Sequence, residues 1–336
     1  MNLNGKKLSI TLISNITKNV YLPKDIDNTF ITFNSKNNIL HLIYSIQLKS
    51  IISYNLNKFQ IITEIKNPHE NNYITNFRHF LDKKNYRDLV MSISYKNCNI
   101  KIWNNENWNC VLNLKNIYSN GIINSGCFIS YLNEILICAG NNYWIKPDNI
   151  KIFDIDGKLI KNINNSKTNS YYIDCYYDKQ FSDIYIISCC YEYVLSFNYI
   201  KNEEYHKYFE SNSKYHTSCK ILENEGIIKL IDSAGDGIIR IWNFHSGVLI
   251  NKIYVTNLSL YGICLWENDK LFIGCSDNNI KLININNGNI LKNIKGSNNW
   301  VCTVNVVNHE KYKNCLISQS IKDEQIKLWM IKIGNE

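Results

Sequence analysis

Short segments in which apolar and polar residues alternate recur along the chain, and one of them is almost constant. It runs from an Ile through a Lys or Arg and a second aliphatic residue to a large side chain, and it occurs at residues 100–104, 150–154, 239–243, 280–284 and 326–329. Weaker copies at residues 51–55 and 194–198 fill the gaps in the series. Because alternation with a period of two is typical of a β-strand with one buried face, the pattern predicts seven related strands.

The large residue of each copy marks the repeat. The seven marks are Tyr54, Trp103, Phe153, Phe197, Trp242, Ile283 and Trp329. Successive marks lie 41 to 50 residues apart, which is the length of a four-stranded propeller blade. The fifth repeat divides into four strand-sized pieces at residues 216–222, 227–233, 238–243 and 248–253. We therefore expect residues 1–336 to form one all-β domain, a seven-bladed β-propeller of four-stranded antiparallel blades.

These residues resemble a known family, the WD-repeat β-propellers, whose blades end the third strand in Ile-Lys/Arg-Leu/Ile-Trp-Asp. In that family an aspartate lies six residues before the Trp, and Asp236, Asp277 and Asp323 hold this position relative to three of the marks. Ser233 is a fair match to the family's second-strand serine. The family's Gly-His dipeptide is missing, and only His69, which follows a proline, approaches it. The resemblance covers nearly the whole chain and implies the propeller fold.

The two ends of the chain predict how the ring closes. Only seven residues follow Trp329, too few for a turn and a well-formed fourth strand. Near the other end, Asn4-Gly5 suits a two-residue hairpin turn and residues 8–13 suit a strand. We expect residues 1–16 to supply the outer strand of blade seven, which would remove an open sheet edge.

Composition and charge agree with an all-β chain that does not bind nucleic acid through a basic patch. Hydrophobic residues make up 45% of the chain, and it has only two alanines, the best helix-forming residue. The net charge is +8, but Lys and Arg never run longer than pairs. No signal sequence opens the chain, and no segment approaches the ~18 apolar residues of a membrane span, so we expect no membrane span.

The twelve cysteines occur in apolar runs, as at Cys138 and Cys275, and no Cys-x-x-Cys pair is present. Adjacent Cys189 and Cys190 cannot form an ordinary disulfide without severe strain. Reduced core cysteines are the simpler interpretation, and they predict a cytoplasmic protein, with the nucleus as the alternative.

The chain contains no catalytic motif. Gly-x-Gly-x-x-Gly, the P-loop, His-Glu-x-x-His and Gly-x-Ser-x-Gly are all missing. The seven histidines are scattered, and only His206 and His216 lie at a metal-ligand spacing, on different predicted strands. We expect neither an enzyme nor a protein that carries a metal or cofactor.

One further recurrence predicts a binding surface. Counting 19 residues forward from the first five marks reaches Tyr73, Ile122, Tyr172, His216 and Tyr261, the shorter sixth connection places Trp300 at 17, and Tyr21 is the equivalent in the first blade. All seven are expected to enter the innermost strands around the channel, on the face that the resembling family uses for partners. The six aromatic or histidine residues suit protein recognition. The alternative is that they cap the core at the inner strand ends.

Residues 141–149 lengthen one turn of blade three and include Tyr143 and Trp144, which predict either a contact loop or a lid over the blade. Taken together, the sequence predicts a non-enzymatic scaffold for protein or peptide partners within a multi-protein complex. The alternative is an RNA-binding propeller that uses the same aromatic residues as stacking platforms.

Overall fold

A computed structural model describes residues 2–3, 6–16, 30–46, 50–95, 97–119, 121–141, 150–163, 169–213, 215–224, 226–321 and 325–335. All regular elements within these ranges are β-strands, and they form seven antiparallel sheets. No helix that could cross a membrane lies in this part of the chain. The sheets are the blades of a propeller, so the predicted fold is confirmed.

Each of the first four complete blades is built from consecutive strands. Blade one contains β3 (Phe30–Asn34), β4 (Leu40–Ile46), β5 (Ser50–Asn55) and β6 (Gln60–Lys66). Blade two contains β7 (Ile74–Asp82), β8 (Arg87–Ser94), β9 (Ile100–Asn104) and β10 (Cys110–Leu114). Blade three contains β11 (Ile123–Tyr131), β12 (Glu134–Asn141), β13 (Ile150–Asp154) and β14 (Leu159–Ile163). Blade four contains β15 (Tyr172–Asp178), β16 (Asp183–Cys189), β17 (Tyr193–Asn198) and β18 (Glu203–Phe209).

The remaining blades follow the same order, except at the outer edge of the last. Blade five contains β19 (His216–Asn224), β20 (Ile227–Ala234), β21 (Ile238–Asn243) and β22 (Leu249–Tyr254). Blade six contains β23 (Leu260–Trp266), β24 (Lys270–Cys275), β25 (Asn279–Asn284) and β26 (Ile290–Lys295). Blade seven contains β27 (Val301–His309), β28 (Lys313–Ser320) and β29 (Ile326–Asn335), followed by β2 (Lys6–Asn15) and β1 (Asn2–Leu3) from the other end of the chain.

The N-terminal segment closes the ring as the sequence predicts. Strand β2 pairs with β29 over its whole length, with Lys6 opposite Asn335 and Asn15 opposite Lys327. The residues after Trp329 therefore extend the third strand of blade seven and receive β2 as its partner. The predicted turn at Asn4-Gly5 lies outside the described residues, although β1 pairs with β2 on either side of it.

The first strand of each blade lies innermost, and hydroxyl groups join several of these strands to their neighbours. Thr75 Oγ1 donates to the Ile123 carbonyl at 2.9 Å, from blade two to blade three. Thr217 Oγ1 makes the matching 2.9 Å bond to the Leu260 carbonyl, from blade five to blade six. Both threonines lie where the pairing register of the inner strand shifts by one residue. Such a bulge turns the residue away from its own blade and toward the next one.

The core lies between blades, where the faces of adjacent sheets meet. All seven marks are less than one-tenth exposed, so the recurrent large residue fills the space between neighbouring blades. Phe153 of blade three, for example, shares a cluster with Met91 of blade two. All twelve cysteines are free thiols, and nine of them are buried.

Candidate functional site

The connections into the inner strands and the turns between second and third strands share one side of the ring, which we call the upper face. The turns between first and second strands and between third and fourth strands form the opposite side, the lower face. This division follows because the seven inner strands run in the same direction around the ring. The predicted binding residues all lie at or near the start of an inner strand, and so near the upper face.

The structure places the predicted site residues in three environments. Trp300 is 42% exposed, and Tyr73 and Tyr261 are half-buried. Tyr172 and His216 are 2% and 0% exposed, so the expected exposure is not met at these two positions. Tyr21 of this set and the loop residues Tyr143 and Trp144 lie outside the described part of the chain.

The buried pair results from a shift in strand register. The residue directly before an inner strand pairs with the residue after the second strand: Tyr95 N–H donates to the Tyr73 carbonyl and Gly235 N–H to the Tyr215 carbonyl, both at 2.9 Å. The entry residues are therefore Tyr73, Ile122, Tyr171, Tyr215, Ser259 and Trp300. Tyr172 and His216 lie one residue further into their strands, and Tyr261 lies two.

The spacing from mark to entry residue explains the error. It is 19 residues from Tyr54 to Tyr73, 18 from Phe197 to Tyr215 and 17 from Trp242 to Ser259. A constant count of 19 therefore passes the entry residue in the later blades. Because side chains alternate along a strand, a slip of one residue moves a side chain from one face of the strand to the other.

His216 belongs to a buried hydrogen-bond network of blade five. Its Nδ1 lies 2.9 Å from Asp232 Oδ1, and Trp242 Nε1 donates to Asp232 Oδ2 at 2.6 Å. Asp232 thus holds the position that the sequence comparison gave to Ser233, whose hydroxyl instead donates to the Tyr261 carbonyl at 2.8 Å. The role of His216 in this network is structural.

Blade two contains the corresponding network with a serine. Trp103 Nε1 donates to Ser92 Oγ at 2.8 Å, and His69 Nε2 lies 2.8 Å from the same hydroxyl. Burial and the nearby Lys101 lower the pKa of His69 to about 3, so its imidazole is neutral at pH 7. His69, the one approach to a Gly-His motif, therefore occupies a network position like that of His216.

Tyr172 lines a charged cluster near the axis of the ring. Its hydroxyl donates to Asp174 Oδ2 at 3.0 Å, and Lys220 Nζ lies 3.2 Å from the Tyr172 hydroxyl. Arg78 crosses from blade two, donating from Nε to the Gly126 carbonyl and placing its guanidinium 4.8 Å from the Tyr172 ring centre. Burial raises the pKa of Tyr172 to about 12. Burial also favours the neutral form of Asp174, but Lys220 and Arg78 outweigh it and lower the pKa of Asp174. The cluster joins three neighbouring blades.

Three tyrosines that the sequence count missed meet on the upper face between blades four and five. The Tyr171 and Tyr215 rings lie 6.0 Å apart, and the Tyr191 and Tyr215 rings 4.6 Å apart, both edge to face. Tyr215 is 40% exposed, and the other two are half-buried. We call this set the tyrosine cluster. The signal in the sequence was present, since Tyr171 and Tyr215 directly precede Tyr172 and His216.

A second aromatic pair lies on the same face between blades six and seven. The rings of Tyr261 and Trp300 are stacked, with centroids 6.2 Å apart and planes inclined by 20°. This spacing is typical of offset stacking between aromatic side chains. The pair was predicted as part of the ring of binding residues, and the structure brings its two members together.

Among the residues that the structure describes, no group of three or more His, Cys, Asp or Glu side chains could hold a metal ion. The features that remain on the upper face are aromatic side chains and scattered carboxylates. Such a surface can contribute contact area and hydrogen bonds to a partner.

The comparisons with known proteins bear on the fold. No family model matches the chain, and no curated protein sequence matches it. The crystal structure of the computationally designed Ika8 protein aligns with 94% of this chain and 99% of its own, at 13% identity and a TM-score of 0.62. The crystal structure of Chaetomium thermophilum Raptor aligns with 97% of this chain at 13% identity and a TM-score of 0.73, and the match spans 29% of the Raptor chain. The chain is similar to both in its fold, that of a seven-bladed β-propeller.

Proposed function

We propose that this protein is a non-enzymatic scaffold of the WD-repeat type that binds protein or peptide partners through its upper face. One fold of this kind hosts many functions, so the proposal rests on that face rather than on the ring itself. The observation that carries it is the contact between aromatic side chains across neighbouring blades, Tyr171 with Tyr215 and Tyr261 with Trp300.

Exposed tyrosines and tryptophans are suited to this role for a physical reason. They bury a large area on binding and have few rotatable bonds, so little conformational entropy is lost. The backbone beneath them is held by strand pairing, and Tyr215 N–H donates to the Tyr191 carbonyl at 2.7 Å. A rigid surface of this kind loses little free energy to ordering when a partner binds.

The assignment to the WD-repeat type is supported by the buried networks. The resembling family joins its third-strand Trp to a second-strand Ser and a His, and Trp103, Ser92 and His69 make these contacts in blade two. Trp329 Nε1 makes the same 2.8 Å bond to Ser318 in blade seven. The nine buried thiols support a reducing compartment, the cytoplasm or the nucleus.

The non-enzymatic assignment is supported by the environment of the titratable groups that the fold brings together. His216 and Asp232 are completely buried and bound to one another and to Trp242, so no substrate can reach them. Asp174 and Lys220 are partners in the cluster at the axis. These groups stabilise the ring.

An RNA partner is the alternative, with the Tyr261–Trp300 pair as a stacking platform. The charges on the upper face favour a protein instead. Glu192, Glu210, Asp236 and Asp277 lie in its turns and connections, and carboxylates repel the phosphate backbone.

Alanine variants of the upper face test the proposal. A partner captured from a cell extract is identified and purified, and its affinity is measured by titration calorimetry with Tyr215→Ala, Tyr261→Ala and Trp300→Ala. We expect each variant to weaken binding about 5- to 150-fold, the range of interface anchors. Tyr86→Ala is the matched control, since Tyr86 is 78% exposed in a lower-face turn. Unchanged affinity in all three folded variants, or RNA binding with a steep salt dependence, would contradict the proposal.

A further inference from the structure

One carboxylate on the upper face differs from the others in having no counter-ion. Asp277 pairs with Lys281 at 2.8 Å, and Glu70 pairs with Lys115 at 3.4 Å. Glu210 and Asp236 both pair with Arg240. Glu192 is exposed, and no ion pair to it occurs within the described ranges. Its charge is therefore available to a partner.

Backbone contacts place Glu192 beside the tyrosine cluster. It follows Tyr191 in the turn between β16 and β17, and its carbonyl accepts the Ser213 hydroxyl at 2.8 Å. Tyr215 N–H bonds to the Tyr191 carbonyl two residues further along the connection from blade four. These bonds tie the turn and the connection together, so a carboxylate and an exposed tyrosine ring share one corner of the upper face.

An aromatic ring beside a carboxylate attracts a cation in two ways. The ring face carries negative charge that attracts an ammonium or guanidinium group, and the carboxylate adds an ion pair and a hydrogen bond. The protein already uses this chemistry internally. Arg78 lies over the ring of Tyr172, which is hydrogen-bonded to Asp174, and Lys207 Nζ lies 3.8 Å from the centre of the Tyr193 ring.

We propose that the corner formed by Tyr191, Glu192 and Tyr215 binds a Lys or Arg side chain of a basic segment in the partner protein. The inference rests on the proposed function and specifies the chemistry of the partner. The basic side chain lies over the exposed Tyr215 ring and pairs with Glu192. Charge complementarity with the unpaired carboxylate selects a basic segment over an acidic one.

A display library of random 12-residue peptides, selected on the immobilised full chain, tests this inference. We expect the selected pool to be enriched in Lys and Arg relative to the starting library. The enrichment should disappear with Glu192→Gln and turn toward Asp and Glu with Glu192→Lys. A synthetic peptide from the wild-type pool should bind Glu192→Gln and Tyr215→Ala about three- to tenfold more weakly in fluorescence anisotropy.

Glu134→Gln is the matched control. Glu134 is an exposed carboxylate at the lower-face turn between β11 and β12, it has no ion pair among the described residues, and its change alters net charge equally. A peptide pool without basic enrichment that still depends on Tyr215 or Trp300 would overturn the inference and leave the proposed function standing. A pool unaffected by any upper-face variant would contradict both, and failure to select any peptide would overturn the inference.

Discussion

Ser92 shows how a single hydroxyl can satisfy two large buried side chains. Its Oγ accepts the Trp103 indole N–H and contacts His69 Nε2, and none of the three side chains is more than 5% exposed. Water cannot replace these partners in so dry a site. An unsatisfied buried polar group costs about 1 to 3 kcal/mol, so the serine affects stability through the atoms that depend on it.

Changing Ser92→Ala should therefore lower the free energy of unfolding by about 2 to 4 kcal/mol, because Trp103 Nε1 and His69 Nε2 both lose a partner. Urea unfolding followed by tryptophan fluorescence measures the change. Ser94 is the matched control, since it is a fully buried serine of the same strand whose hydroxyl has no hydrogen-bond partner. Ser94→Ala should cost less than about 0.5 kcal/mol, because no bond is lost. Equal losses in the two variants would show that the network does not stabilise blade two.

Among the elements, the turns between second and third strands determine how a blade meets the following connection. Gly237 ends the turn between β20 and β21 with φ of 81°, and its carbonyl accepts the N–H groups of Val255 and Thr256. A Cβ added at Gly237 would lie 1.8 Å from the Thr256 carbonyl oxygen. Glycine is needed here both for its positive φ and for the close approach of the connection.

We predict that Gly237→Ala lowers the free energy of unfolding by about 2 to 5 kcal/mol, the sum of positive-φ strain and displacement of the connection. Gly226→Ala separates the two causes. Gly226 also has a positive φ, 76°, but nothing lies within 4 Å of an added Cβ. That variant should lose only about 1 to 2 kcal/mol. Thermal unfolding of both variants gives the comparison, and a loss at Gly237 no larger than at Gly226 would refute the role of the close approach.

Across the whole molecule, stability depends on joining the two ends of the chain. Strand β2 covers the outer edge of β29, and the buried side chains of Leu8, Trp329 and Ile331 share one hydrophobic cluster there. Removing β2 would expose both that apolar surface and a row of unpaired backbone groups.

A chain that lacks residues 1–16 should be less stable by about 5 kcal/mol, from the exposure of three large apolar side chains, and should self-associate through the open edge of β29. Calorimetry and analytical ultracentrifugation measure the two effects. A synthetic peptide of residues 1–16 should restore stability when added. The same peptide with Ile10→Pro should not, because Ile10 pairs with Ile331 in the middle of the strand. If the shortened chain melts like the full chain, β2 is not a closing strand.

The repeat could be predicted from the sequence because its signals are local. Alternating residues around Trp103 and Trp242 specify strands with one buried face, and the spacing of the seven marks counts the blades. The outer strand of blade seven also followed from local signals, since the residues after Trp329 cannot form a turn and a further strand. The surface was only partly predictable: Tyr261 and Trp300 were named, but the tyrosine cluster was missed.

Only the tertiary structure decided which side chains reach the upper face and which enter the core. Tyr171 and Tyr172 are neighbours of the same type, and so are Ser233 and Asp232 as polar residues, yet the members of each pair have different partners. Their assignment depends on the register between strands and on connections of 17 to 19 residues, which are set by hydrogen bonds to other parts of the chain. Since a slip of one residue exchanges the two faces of a strand, a local pattern determines that a strand exists, whereas contacts distant in sequence determine where each side chain lies.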